Sequence, residues 1–227
     1  MSKRRVSNPL ALAVLSCLWE RPMYPYEMTT SLRERGKEDS IRLNFGSLYA
    51  VIKSLEKHAL IEATHTERVG NRPERIVYAI TAEGKVEAVD WLRELIAEPV
   101  KEYPAFETGL SLLPMLTPAD ATMLLGDRVE RLDADLRGRE HERQSPQVKQ
   151  LPELFLIEFD YRVAMLLAER VFVADMVDRI RSGDLGGIDM WSRLHELLAA
   201  GHSRDEIESE FAAYMAATTG EEADRPT

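Results

Sequence analysis

Arg68, Asn71, Arg72 and Arg75 crowd a short stretch that also holds Gly70 and Pro73. Guanidinium and amide donors at the tip of a turn suit one chemistry above others, hydrogen bonding and charge pairing with phosphate oxygens. Upstream, Ser47, Tyr49, Lys53 and Lys57 fall away from the apolar stripe Leu48, Ile52 and Leu55. A hydroxyl, a phenol and ammonium groups on the outer side of a helix can read polar edges and backbone phosphates. Bond-breaking chemistry has no comparable set. No glycine-rich phosphate loop or nucleophile elbow is present. His58, His65, His141, His195 and His202 stand in no metal-ligand spacing. Asp133 and Asp135 are two residues apart on a charged helix and do not face each other. The expectation is a binding protein, not an enzyme, without metal or cofactor.

The elements that must position these residues follow from periodicity and caps. A buried helix is expected from Pro9 to Glu20, with Asn8 as its N-cap and Arg21-Pro22 as its stop. A second runs from Pro25 to Arg35, ended by Gly36. Asn44 reads as the cap of a third, Phe45 to about His58, in which Leu48, Ile52 and Leu55 recur at helical spacing and Val51 broadens the stripe. Two extended segments follow, Leu60–Thr66 and Arg75–Ile80, the second with Ile76, Tyr78 and Ile80 alternating. The Gly70-Asn71 and Pro73 chemistry between them predicts a hairpin with a basic tip. Thr81-Ala82-Glu83-Gly84 starts a fourth helix whose apolar positions include Val86, Val89, Trp91, Leu92, Leu95 and Ile96, and Pro99 ends it.

Beyond Pro104 the pattern is helical throughout. Segments are expected at Phe106–Leu113, Pro118–Arg143, Leu151–Arg181, Ile188–Ala200 and Ser203–Ala217, with a polar tail from Thr218. The third of these is apolar on almost every side. Phe155, Phe159, Val163, Leu166, Val173, Val177 and Ile180 are its candidate dimerisation residues, because a helix apolar all round must be covered all round. A small helical domain supplies too few partners, so a second copy of the chain is the expected cover.

The fold class is therefore mainly α. Residues 1–98 read as an N-terminal winged helix-turn-helix with a two-stranded β wing, residues 104–182 as an all-helical dimerisation domain, and residues 183–227 as a helical extension with a mobile tail. In such a unit the third helix enters the major groove and the wing reaches phosphates beside it. The net charge of −10 looks wrong for a DNA binder, but residues 1–90 hold 14 Lys and Arg against 12 Asp and Glu, and the deficit belongs to the remainder. Cys17 is the single cysteine, which excludes an internal disulfide and suits a reducing cytoplasm. Within the first helix it reads as a small core residue rather than a redox sensor.

No apolar run reaches the ~20 residues that cross a bilayer. Lys3-Arg4-Arg5 ahead of Leu10–Trp19 mimics a secretory leader, and Val14-Leu15-Ser16-Cys17 mimics a lipoprotein cleavage box with a bulky Leu15. The Asn8-Pro9 cap and the unbroken run into patterned helix favour reading it as part of the fold. Two readings of Lys3-Arg4-Arg5 stay open, a disordered tail and a groove-probing arm.

Five segments in order resemble the PadR family of transcriptional regulators. Pro22-Met23-Tyr24-Pro25-Tyr26-Glu27-Met28 is similar to that family's Pro-Met-His-Gly-Tyr-Glu-Leu. Phe45-Gly46-Ser47-Leu48-Tyr49 resembles its Pro-Gly-Ser-Leu-Tyr, and Leu55-Glu56-Lys57-His58-Ala59-Leu60-Ile61 its Leu-Glu-x-x-Gly-Leu-Ile. Gly70-Asn71-Arg72-Pro73-Glu74-Arg75 resembles the Gly-Gly-Arg-Pro-Arg-Arg wing, and Tyr78-Ala79-Ile80-Thr81-Ala82-Glu83-Gly84 the Tyr-x-Leu-Thr-x-x-Gly junction. The helical second half is similar in composition to the dimerisation domain of the long-tailed subgroup. The resemblance implies a homodimer that represses transcription from a promoter operator on double-stranded DNA. It also suggests release by a small hydrophobic or aromatic effector.

Tyr26, Ser47 and Tyr49 match positions that approach DNA in the family, and the DNA-binding set becomes Tyr26, Asn44, Ser47, Tyr49, Lys53, Arg68, Asn71, Arg72 and Arg75. Trp91 has two readings: core packing, which is preferred, and lining of an effector pocket. The departures are Tyr24-Pro25 for His-Gly, Glu74 for a basic wing residue, and Ala59 for Gly. With its acidic second half, the chain also admits an alternative, a protein-interaction module that keeps the winged helix and has lost operator binding.

Overall fold

The computed structural model describes residue 4 and residues 6–41, 45–67 and 75–222. The chain divides into two compact units, Met1–Glu102 and Tyr103–Thr227.

The first unit is built around α1 (Pro9–Glu20). The Asn8 side chain accepts a hydrogen bond from the Leu10 N–H at 3.0 Å, and Pro9 follows at the position where a missing N–H costs nothing. Leu10, Ala11, Val14, Leu15 and Cys17 are completely or almost completely buried, so α1 is the central pillar. Around it pack α2 (Pro25–Glu34), α3 (Phe45–Lys57), the antiparallel strands β1 (Ile61–Glu67) and β2 (Arg75–Ile80), and α4 (Ala82–Ala97). Gly36, at φ 65°, follows α2 in the left-handed conformation that favours glycine.

The turn from α3 into β1 needs the same conformation at Ala59, which adopts φ 56°. The substitution of Ala for Gly has left the turn intact at a steric cost. It is held by the Ala59 and Leu60 N–H groups donating to the Glu56 and Leu55 carbonyls at 2.9 and 3.0 Å. Thr81 then locks the far end of the hairpin. Its N–H donates to the Leu60 carbonyl, its hydroxyl to the Ala59 carbonyl, and its oxygen accepts from the Gly84 N–H at 2.9 Å. A Cβ on Gly84 would stand 2.0 Å from the Leu60 carbonyl oxygen, so only glycine permits this approach.

The hairpin differs from strict alternation. Ile76 is exposed, whereas Val77 and Tyr78 are both buried. Consecutive strand residues point to opposite faces, so β2 is covered on both sides at its middle. β1 carries an extra residue opposite this point, where the register passes from Ala63↔Tyr78 to His65↔Val77 and Thr64 bulges out. β2 also has a partner on its second edge, since Met23 and Tyr78 exchange two backbone hydrogen bonds of 3.0 Å.

The second unit holds α5 (Ala105–Ser111), α6 (Pro118–Gln144), α7 (Pro146–Lys149), α8 (Ile157–Ser182), α9 (Ile188–Ala199) and α10 (Arg204–Glu222). The long helix expected from Leu151 begins at Ile157 instead. Pro152 and the 3-10 turn Glu153–Phe155 interrupt it, with Leu156 tucked inward. α6 and α8 run antiparallel, as the ion pairs Arg128–Glu169, Asp133–Arg170 and Arg143–Asp160 require. The Arg170 guanidinium bonded to Asp133 holds that carboxyl below its usual range. Their core is Ala121, Leu125, Val173, Val177 and Ile180, capped by Trp191 of α9, whose indole N–H donates to the Leu116 carbonyl at 2.8 Å. Residues 188–199 thus share the core of α6 and α8. The capping box at Ser203 forms, with the Ser203 N–H donating to Glu206 at 2.8 Å.

Candidate nucleic-acid interface

α3 is held by its apolar stripe. Leu48, Val51, Ile52 and Leu55 are buried against the core of the first unit. What remains outside follows from the same 3.6-residue period. Gly46, Tyr49, Ala50, Lys53, Glu56 and Lys57 are exposed and share one outward face, while Ser47 is half-buried at its edge. Tyr49 is 54% exposed, and Tyr26, at the start of α2, is 59% exposed. Both rings thus lie more than half in solvent beside the core of the first unit.

The charges in this region are spent unequally. Arg21 pairs with Glu27, Arg33 with Glu38, and Arg35 with Glu20. These pairs fasten α1, α2 and the turn after it. Lys53 and Lys57 form no such pair among the described residues and face outward beside Glu56. Tyr78 lies beneath; burial pushes its phenol up, and nearby Glu56 and Tyr49 add to the shift.

Arg75 opens β2, half-exposed, with its guanidinium 4.7 Å from the centroid of the Tyr24 ring. Asn44, Arg68, Asn71 and Arg72 lie outside the described residues, as do Glu74, Lys3 and Arg5. Of the Lys3-Arg4-Arg5 stretch only Arg4 is described. Its guanidinium bonds to Glu94 at 2.8 Å and to Glu87, and stands over the Trp91 ring. This arginine is clamped to α4 and is neither a tail nor an arm. Trp91 is 5% exposed and belongs to the core of the first unit, the preferred reading from sequence. Among the described residues no group of three His, Cys, Asp or Glu could hold a metal ion, and no helix is long and apolar enough to cross a membrane.

Residues 14–90 match the transcriptional regulator PadR-like family. This stretch is a PadR-like domain.

The fold is shared with solved relatives. Bacillus subtilis PadR in complex with operator DNA is similar over 81% of this chain and 99% of its own, at 20% identity and a TM-score of 0.53. A PadR-like transcriptional regulator from Bacillus cereus covers 76% of this chain and 98% of its own, at 18% identity and a TM-score of 0.52. Bacillus subtilis PadR in complex with p-coumaric acid covers 79% and 98%, at 20% identity and a TM-score of 0.51. No curated protein sequence matches the chain.

Two features of the PadR-like domain escaped the sequence reading. Ala50 lies on the outward face between Tyr49 and Lys53. Helical spacing from Gly46 and Lys53 was enough to find it, but small apolar residues draw attention to cores. Tyr24 as the support of Arg75 had no local signal, because the contact joins distant parts of the chain.

In the second unit, Val173, Val177 and Ile180 of the candidate dimerisation set are buried in this chain's own core and are not available to a partner. Phe159, Val163 and Leu166 are half-buried, and Phe155 is exposed. The opposite face of α8 carries Ile157, Tyr161, Met165 and Phe172, all exposed and recurring at helical spacing.

Proposed function

We propose that this chain is a homodimeric repressor that binds double-stranded DNA at a promoter operator and is released by a small hydrophobic or aromatic ligand. The observation that carries the reading is the outward face of α3, where Tyr49, Ala50, Lys53 and Lys57 stand exposed together, with Glu56 among them. A helix of about 10–12 Å diameter fits a major groove about 12 Å wide. In that position Lys53 and Lys57 meet phosphates, Tyr49 and Ala50 meet base edges, and Tyr26 and Ser47 flank them. Arg68, Asn71, Arg72 and Arg75 are assigned to phosphates along the wing, and Asn44 to the entry of the reading helix.

The exposed apolar face of α8 supports the homodimer, because monomers rarely leave so continuous a patch in water. Tyr161, Met165 and Phe172 on that face, with Phe155 in the turn before α8, are its proposed anchors. The operator complex and the p-coumaric acid complex of Bacillus subtilis PadR support the choice of ligand classes.

Fluorescence anisotropy on DNA upstream of the chain's own gene, against random duplex, tests the reading over a salt series. Specific binding is expected to exceed random binding by at least about 10³-fold and to weaken steeply with salt. Equal affinity for the two duplexes would overturn the operator claim. Lys53→Ala should lower the slope of log affinity against log salt by about 0.9. Replacing Arg72 and Arg75 together by Ala should weaken binding to both duplexes, and an unchanged affinity would favour the protein-interaction module.

A further inference from the structure

Tyr24 stands where the resembling family carries His, and it is tied into the hairpin from two directions. The residue before it, Met23, exchanges two backbone hydrogen bonds of 3.0 Å with Tyr78 in β2. Its own N–H donates to Glu27 Oε2 at 3.1 Å, which fixes the first turn of α2. The backbone that carries the ring is therefore fixed relative to β2, and Arg75, the first residue of that strand, lies over the ring at 4.7 Å.

The manner of this support matters. Arg21, Arg33 and Arg35 are positioned by carboxylates, which neutralise them. Arg75 instead rests on an aromatic ring, with Glu67 opposite it in the strand pair. An aromatic face holds a guanidinium through its flat side and leaves both the charge and the in-plane N–H donors available. Those in-plane donors are the ones that pair with phosphate oxygens.

We propose that Tyr24 is a positioning residue for phosphate contact by Arg75, holding the guanidinium by its flat face at the root of the wing. The proposal rests on the DNA-binding reading above. It assigns to a departure from the family pattern a task that the ring performs.

The test uses the full chain on a random duplex in a salt series, since phosphate contact does not depend on sequence. Arg75→Ala should lower the salt slope by about 0.9. Tyr24→Leu should weaken binding about 3- to 10-fold with the slope unchanged, because the charge persists but must be ordered on binding. Tyr24→Phe should behave as the native chain, and Tyr24→Leu should add nothing in the Arg75→Ala background. The Arg75 side-chain proton resonances report the contact separately, with a ring-current shift kept in Tyr24→Phe and lost in Tyr24→Leu. Native affinity in Tyr24→Leu, or an equal loss in both backgrounds, overturns the proposal. A native chain that binds no duplex while the ring-current shift persists sinks the DNA reading and leaves the contact merely structural.

Discussion

The two units use their apolar side chains differently. In the first, α1 is buried along most of its length and the hairpin and three further helices close around it. The surface left on α3 is polar or small, apart from Tyr49. In the second, Trp191 and the lower halves of α6 and α8 form a compact core, but α8 keeps a second apolar face in the open. A unit that has satisfied its own core can present charge and hydroxyls to a ligand at no cost in stability. A unit with an apolar face to spare has surface left over for association. α4 stands between these cases, since it buries Gly84, Ala88 and Trp91 yet exposes Val86, Leu92, Leu95 and Ile96.

The contrast can be broken most directly at the pillar. Leu15→Ala should cost about 2–5 kcal/mol in denaturant unfolding, because Leu15 is fully buried and its neighbours are fixed elements. A loss under 1 kcal/mol would mean that α1 is not the centre of the first unit. Next in size is Phe172→Asp on the open face of α8. Sedimentation velocity should show self-association weakened at least about 100-fold, or about 2.7 kcal/mol, with the fold retained. An unaltered sedimentation profile would remove α8 from the interface.

Smaller effects sharpen the picture inside the first unit, at two residues bonded to Thr81. Gly84→Ala should destabilise by about 1–3 kcal/mol, since its Cβ meets the Leu60 carbonyl. Ala59→Gly should stabilise by about 0.5–1 kcal/mol by relieving the left-handed conformation. Thermal melts of the two variants should move in opposite directions, and a shift of the same sign in both would contradict the account of the turn.

Much of the PadR-like domain was legible before any coordinates. The Asn8-Pro9 start, Gly36 after α2, the helical stripe of α3 and the Thr81-to-Gly84 junction are local, and each reports a backbone hydrogen bond or dihedral angle that neighbours in sequence decide. The candidate site was legible to the same extent, because the buried stripe Leu48, Ile52 and Leu55 dictates that Tyr49 and Lys53 point away from it. Strict alternation in β2 failed because Val77 and Tyr78 are both covered, which no local window reveals. Its second edge is occupied by Met23, which arrives from before α2.

What the sequence alone determined, then, is where helices and the hairpin begin and end and which side of α3 faces out. These depend on steric and hydrogen-bonding preferences over a few residues. The tertiary structure decided which side of α8 is inner, sending Val173, Val177 and Ile180 into the chain's own core and leaving Tyr161, Met165 and Phe172 outside. It also decided that Arg4 closes over Trp91 and that Arg75 rests on Tyr24. A helix apolar all round has no preferred side until another element packs on it, and a flexible arginine has no preferred partner until folding brings one within reach.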